Sequence, residues 1–394
     1  MNLFPFQPDW AKGVKETTSF LTDVLVAYSD AEQRRGLRSN PRRSLAFSIV
    51  TMSASETALL AATIFGKQDA PFVVPWWPDA QRLAAPLASG STAILLDPST
   101  RLFAGNGLAV IWKSPTANEI VSVSSVLSDR ITLAAPTVNS WTANETIVLP
   151  AFLGRLGTSV DFSRFASGGV LADLKFSGEA GQIAPSGSWT PTQYRGLDVL
   201  EVAPNFANAI KRTSSRSLIV LDAKTGDVTV ETKSASPIAA TSIEWFLADR
   251  ASIANFRDFL DRRKGRLVPF FAPSWDADLV LARDVLATDS TIRVQANGYS
   301  ALLFPSVSRR DLAFLAVTGS RVYARVSNAV NNGDGTETLT LSAPIGTAFT
   351  ASATQVSILE LVRLGSDDLD LSWSSSTFSE SSLPIVGVPR EVPA

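Results

Sequence analysis

A chain of 394 residues is long for one core and comfortable for two domains; 45% of it is hydrophobic and its formal net charge is only −2, which suits a soluble, well-packed protein better than a dedicated nucleic-acid binder. It contains no cysteine and no histidine, which excludes disulfides, thiol nucleophiles, zinc fingers, iron–sulfur clusters and every histidine acid, base or metal ligand. No apolar run of about 18 residues and no basic segment leading into an apolar one is visible, so neither a membrane span nor a secretion signal is expected.

In chain order, the opening MNLFPFQPDW gives way to TDVLVAYS (22–29) and RSLAFSIVTM (43–52), whose alternation and β-branched residues predict strands. Between them EQRRGLRSNPRR crowds Arg34, Arg35, Arg38, Arg42 and Arg43 into ten positions. A helix is predicted next: Ser53 to Glu56 has the capping-box pattern, Leu59, Leu60, Thr63 and Ile64 keep helical spacing, and Gly66 is the expected stop. FVVPWWPDA (72–80) follows as an aromatic strand exit, and residues 85–137 look like a small all-β insertion. The segment 178–196, GEAGQIAPSGSWTPTQYRG, has the composition of a loop or tether.

Beyond the tether the chain repeats itself. PNFANAIK (204–211) matches PDWAKGVK (8–15), and TSIEWFL (241–247) matches RSLAFSI (43–49). A second helix starts at Asp249 as N-cap, places Ile253, Phe256, Phe259 and Leu260 inward, and stops at Gly265. LVPFFAPSWDADL (267–279) corresponds to the tryptophan stretch, with Pro269 near Pro75 and Trp275 near Trp77. TLTLSAP (338–344) and LVRLGSDDLDL (361–371) match RITLAAP (130–136) and FLGRLGTSVDF (152–162), the offset drifting only from about 194 to 208. NNGDGTE (331–337) predicts a tight hairpin turn. The fold class expected is mainly β (α+β): two tandem copies, 1–190 and 191–394, each a β-sandwich or split barrel with one packed helix and one β insertion, at about 85–137 and 283–345.

The chemistry on offer is sparse. Trp76 and Trp77 with Asp79, and Trp275 with Asp276 and Asp278, can stack on sugar rings and accept hydroxyl hydrogen bonds. The competing readings are core packing or a subunit contact, and recurrence in both copies favours a structural duty. The arginine run reads as a solvated loop, a salt-bridged contact to a neighbouring chain, or a nucleic-acid contact; the second copy lacks it. In RDFLDRRKGR (257–266) the terminal Arg262, Arg263 and Lys264 suit the negative end of a helix. Asp79, Asp276, Asp278, Asp367 and Asp368 can be nominated as glycosidase carboxylates, but no spacing singles out a pair. With no phosphate loop, nucleophile elbow or HExxH motif, the chain is not expected to be an enzyme, and no catalytic residue, cofactor or metal is assigned.

The opening FPFQPDW with ETTSFLTDVLVAYSDAEQRRGLRSNPRRSLAFSI, and FRDFLDRRKGRLVPFFAPSW further on, resemble the distal-tail and baseplate proteins of long-tailed bacteriophages, prophages and gene transfer agents. The resemblance implies tail-tube-like domains that close sideways into a ring around the tail channel. It implies a virion location at the tail tip after assembly in the bacterial cytoplasm. The partners implied are the chain itself, the tail tube protein, the baseplate hub and receptor-binding or fibre proteins, with no membrane and at most passing contact with DNA. Ordinary members carry one such domain and form hexamers, whereas this chain reads as two, so three chains with pseudo-six-fold symmetry are expected, or else six chains. Arg34, Arg35, Arg38, Arg42, Arg43, Trp76, Trp77 and Trp275 are the candidate subunit-interface residues. A host-surface glycan-binding tail protein is the alternative.

Overall fold

The computed structural model of the chain describes residues 1–166, 168–178, 189–232 and 236–393. It is mainly β, with 47% strand against 11% helix, in large antiparallel sheets. Most of the expected tether, 179–188, lies outside the described residues. Its end does not: the Trp189 ring meets Phe259 edge-on at 5.7 Å.

The first half begins with β1 (Val14–Ser19), then a hairpin of β2 (Thr22–Val26) and β3 (Glu32–Gly36), and the long β4 (Arg42–Thr51). Helix α1 (Ala54–Lys67) follows, then β5 (Phe72–Pro75). The set is completed by β6 (Ile147–Leu156), β7 (Asp161–Arg164) and β8 (Val170–Gly178). The second half has the same order of elements: β9 (Lys211–Ser215), the hairpin β10 (Leu218–Asp222) and β11 (Val228–Thr232), β12 (Ile238–Leu247), α2 (Arg250–Arg263), β13 (Phe270–Pro273), β14 (Thr354–Leu364), β15 (Asp368–Ser375) and β16 (Phe378–Gly387).

The pairings run in parallel as well. Strand β4 lies between β1 and β8, while β6 joins β5 to β8. In the same way β12 lies between β9 and β16, and β14 joins β13 to β16. Register follows: Lys15 faces Ala46 where Lys211 faces Ser242, so that AATSIEW (239–245), not TSIEWFL, is the counterpart of RSLAFSI (43–49), and Phe72 faces Gly154 where Phe270 faces Val362. The second of these puts Pro273 opposite Leu359 as Pro75 is opposite Ala151, so Pro273, not Pro269, is the counterpart of Pro75.

Both helices are capped as their sequences dictate. Ser53 Oγ accepts from Glu56 N at 3.2 Å, and Asp249 Oδ1 accepts from Ser252 N at 2.8 Å. The expected stop at Gly66 is not used: α1 runs on to Lys67 and is capped by Gln68 in right-handed conformation, because nothing forces a reversal there. Helix α2 does turn, through left-handed Lys264 and Gly265 at φ 49° and 66°.

One core built from both halves contains Leu60 and Ile64 of α1 together with Ile253, Phe256, Phe259 and Leu260 of α2. The insertions carry cores of their own, one spanning Leu83 to Val148 and another Leu279 to Ile358, each reaching somewhat beyond 85–137 and 283–345. The NNGDGTE hairpin joins strands Arg321–Asn331 and Thr336–Leu341, with Gly333 and Gly335 at φ 77° and 85°. Among the described residues no helix is long and apolar enough to cross a membrane.

Candidate functional site

The two halves meet along a strand seam. β1 pairs antiparallel with β15, Val14 opposite Trp373 through to Ser19 opposite Asp368. The seam is sealed on its outer face by Thr17 Oγ1 donating to Asp370 Oδ1 at 2.6 Å and by Lys15 Nζ at 2.9 Å from Asp370 Oδ2. Gly13 is needed at its entry: φ is +75°, and a Cβ there would stand 2.8 Å from the Trp373 carbonyl oxygen.

Behind the seam lies a buried ionic network that binds the halves chemically. The Arg257 guanidinium on α2 donates to Glu16 Oε2 at 2.6 Å and to both oxygens of Asp79 at 3.1 Å. Its Cζ lies over the Trp373 ring, 4.8 Å from the centroid, and Trp373 Nε1 donates to Glu16 at 3.0 Å. Arg250 donates to Asp79 at 2.6 Å, and Leu102 N to the other Asp79 oxygen at 2.8 Å. Arg43 reaches Glu16 at 3.4 Å, Thr18 Oγ1 at 2.9 Å and Asp261 at 2.6 Å. Three guanidinium groups therefore face three carboxylates, four of the six buried and the other two, Arg250 and Asp261, nearly so. Desolvation of this size is tolerated only when every charge is paired and hydrogen-bonded.

The electrostatics agree. Burial alone would push the Asp79 carboxyl up, but Arg257 and Arg250 outweigh it and hold the group below the usual carboxylate range. Burial likewise opposes the charge on Arg257, and Asp79 and Glu16 overcome it, so its pKa is raised. Asp261 goes the other way: burial, helped by the neighbouring carboxylates of Glu16 and Asp258, outweighs Arg43 and raises its pKa. Each of the three carboxylates is held by an arginine from the other half, so the arrangement clamps one half to the other.

The sequence-based candidates divide between this seam and the core. Arg43 is in the network. Arg34 pairs with Glu32 at 3.8 Å and with Glu391, and Arg38 donates to the Ser19 carbonyl at 2.9 Å. All three are thus engaged within the chain: the β2–β3 hairpin folds across the second half, whose Arg363 holds Glu32 at 2.7 Å. Arg35 and Arg42 are exposed. Trp76 and Trp77 are fully buried, at 0% and 1% exposure, and so are neither a subunit contact nor a sugar platform. Trp76 meets Phe152 and Trp77 meets Trp112, both edge-on, at 5.2 and 5.4 Å. A 3-10 turn, Trp77–Asp79, with Pro78 in its first turn, follows directly on β5, and both indoles pack into the main core. Trp275 is buried too, on a left-handed backbone at φ 63°.

Sequence reading missed Glu16, Arg250, Arg257, Asp261 and Trp373, and gave Asp79 a sugar-binding part. The signal was present in two places. In VKETTS the carboxylate of Glu16 occupies the inward register between Val14 and Thr18, and Arg257 sits on the apolar face of α2, between Phe256 and Leu260. Of the charges at the end of α2, Arg263 is buried and donates to Pro269 O at 3.1 Å and to Asp198, beyond any macrodipole effect.

No protein-family model matches this chain, and no curated protein matches it.

Proposed function

We propose that this chain is a structural virion protein of the distal tail or baseplate of a long-tailed phage or phage-like particle, closing into a ring around the tail channel. The observation that carries the reading is the seam. Two strand sets with the same order and pairing are joined head to tail, the leading strand of one set against the trailing edge of the other, and a head-to-tail contact between like units is what generates rings when its rotation closes.

Two such sets per chain let three chains offer six quasi-equivalent positions, the arrangement an adaptor between six-fold tube and three-fold tip requires; six chains are the other geometry. Tail tube protein on one side, and hub with receptor-binding or fibre proteins on the other, are the partners of this reading. The near-neutral net charge suits a lumen that lets DNA pass without holding it.

The test is the mass of the purified chain in solution over a range of concentrations, with images of negatively stained particles. Closed rings of three or six chains are expected. A strict monomer at every concentration, with no rings in the images, overturns the reading.

A further inference from the structure

Each half has a leading strand and a trailing strand, and only one of each is used in the seam. The leading strand β9 pairs with β12 on one side, and among the described residues no strand covers its other edge. The trailing strand β7 pairs with β8 and is likewise uncovered beyond. Every residue of both strands is exposed. Bare edges of this kind are templates for pairing, and proteins cover or blunt them unless they are used.

The registers say which residues would meet. Ser163 faces Leu171 and Arg164 faces Val170 in β7, as Ser372 faces Glu380 and Trp373 faces Ser379 in β15. Asp161 therefore holds the place of Asp370. On the leading side Lys211 and Thr213 hold the places of Lys15 and Thr17. The Lys–Thr–Asp triad that seals the seam is thus written a second time, with its lysine and threonine on one edge strand and its aspartate on the other. Among the described residues Lys211 and Asp161 have no ion-pair partner.

We propose that β9 of one chain pairs antiparallel with β7 of a second copy, repeating the seam between chains, with Thr213 opposite Asp161 and Lys211 Nζ bound to the Asp161 carboxylate. This rests on the ring reading and supplies its contact. The surfaces beside both edges are apolar and open in the same sense. On the receiving side Phe162 of β7 is 48% exposed, and Phe65 of α1 is 95% exposed at the helix position that Asp261 fills in α2 beneath the seam. On the incoming side the β10–β11 hairpin exposes Leu218, Val220, Leu221, Val228 and Val230, where its counterpart, β2–β3, is folded across the neighbouring half. Arg257 is replaced by Ala61 at the matching position of α1, and Glu16 by Arg212 in β9, so the contact between chains lacks the buried network and is the weaker, reversible version of the seam.

The chain has no cysteine, so an introduced pair reports one contact only. Residues directly opposite in an antiparallel pair have Cα atoms about 4.5–5.5 Å apart, within disulfide range. Under mild oxidation Asp161→Cys with Thr213→Cys should give a ladder of disulfide-linked chains on a denaturing gel. Asp161→Cys with Arg212→Cys, one residue out of register and on the opposite face, should not. Separately, Lys211→Glu should weaken self-association at least tenfold with the circular dichroism unchanged, and the swap Asp161→Lys with Lys211→Asp should restore it. Rings without the disulfide overturn this pairing and leave the ring reading standing; the disulfide without closed rings supports the pairing and overturns the ring. A monomer that stays unlinked at the highest soluble concentration overturns both.

Discussion

Strands β1 and β9 occupy the same place in two strand sets of the same pairing, yet one is clamped and the other bare. β1 presents Glu16 to Arg257 of α2, to Arg43 of β4 and to Trp373, and its glycine neighbour lets the trailing strand come close. β9 presents Arg212, which turns to Glu360 within its own half, and Ala209 stands where Gly13 would. Position in the fold is therefore not what makes an edge permanent. A handful of buried charges does, and they are found on only one of the two edges.

The strongest way to break this difference is to remove the cation at the centre of the clamp. Arg257→Ala leaves Glu16 and Asp79 buried with their main partner gone, and should cost about 3–5 kcal/mol in denaturant unfolding; a loss under about 1 kcal/mol would mean the network is wet and the seam held by strands alone. Acid probes the same cluster. Asp79, whose pKa is lowered in the folded chain, contributes stability that is present above its unfolded value of about 3.9 and lost as the pH falls through the lower folded value. Asp261, whose pKa is raised, contributes the reverse: its part is present below about pH 3.9 and lost as the pH rises through its folded value. Asp79→Asn should therefore lower stability at neutral pH and flatten the acid limb of a midpoint-against-pH curve, whereas Asp261→Asn should cost less at neutral pH than Asp79→Asn does. An acid limb identical in Asp79→Asn and the parent would remove Asp79 from the account.

Smaller, and confined to the backbone, is Gly13→Ala. The added Cβ meets the Trp373 carbonyl at 2.8 Å on a left-handed residue, so about 2 kcal/mol of destabilisation is expected from conformational strain and displacement of β15 together. Ala209→Gly, the reciprocal change at the bare edge, should move the unfolding midpoint by no more than about 1 kcal/mol equivalent.

Both helices and the long hairpin could be read from the sequence, because alternation and capping are local: the Ser53 and Asp249 caps and the Asn–Gly and Asp–Gly hairpin are set by nearest neighbours. The seam could not. Glu16 is 241 residues from Arg257 and 357 from Trp373, and a charge at an inward position reads as an exception until its counter-charge is placed in space. The tryptophans show the opposite failure. Paired aromatics between prolines are conspicuous in a sequence, but the two indoles bury themselves against Phe152 and Trp112, and only a fold could choose between a wall of the core and a platform on the surface. The arginine run was conspicuous for the same reason and split for the same reason: successive β-strand positions face opposite ways, so Arg43 points into the network while Arg42 is exposed.

The smallest change in stability gives the sharpest comparison of the two edges. Lys15 and Asp370 are half-exposed, with side-chain exposures of 54% and 36%, and such a pair is worth under about 1 kcal/mol once solvent screening is counted. Lys15→Ser should therefore shift the unfolding midpoint slightly and leave self-association as it was, since the clamp behind the seam keeps the halves together. Lys211→Ser should shift the midpoint no more than Lys15→Ser, because among the described residues Lys211 has no ion-pair partner, yet it should weaken association measurably and make it less sensitive to salt, the ion pair between chains being the part that salt screens. Measured together by sedimentation at low and moderate salt, the two variants separate a lysine that seals a permanent joint from one that seals a reversible joint. Equal association for both would mean that β9 meets something other than β7.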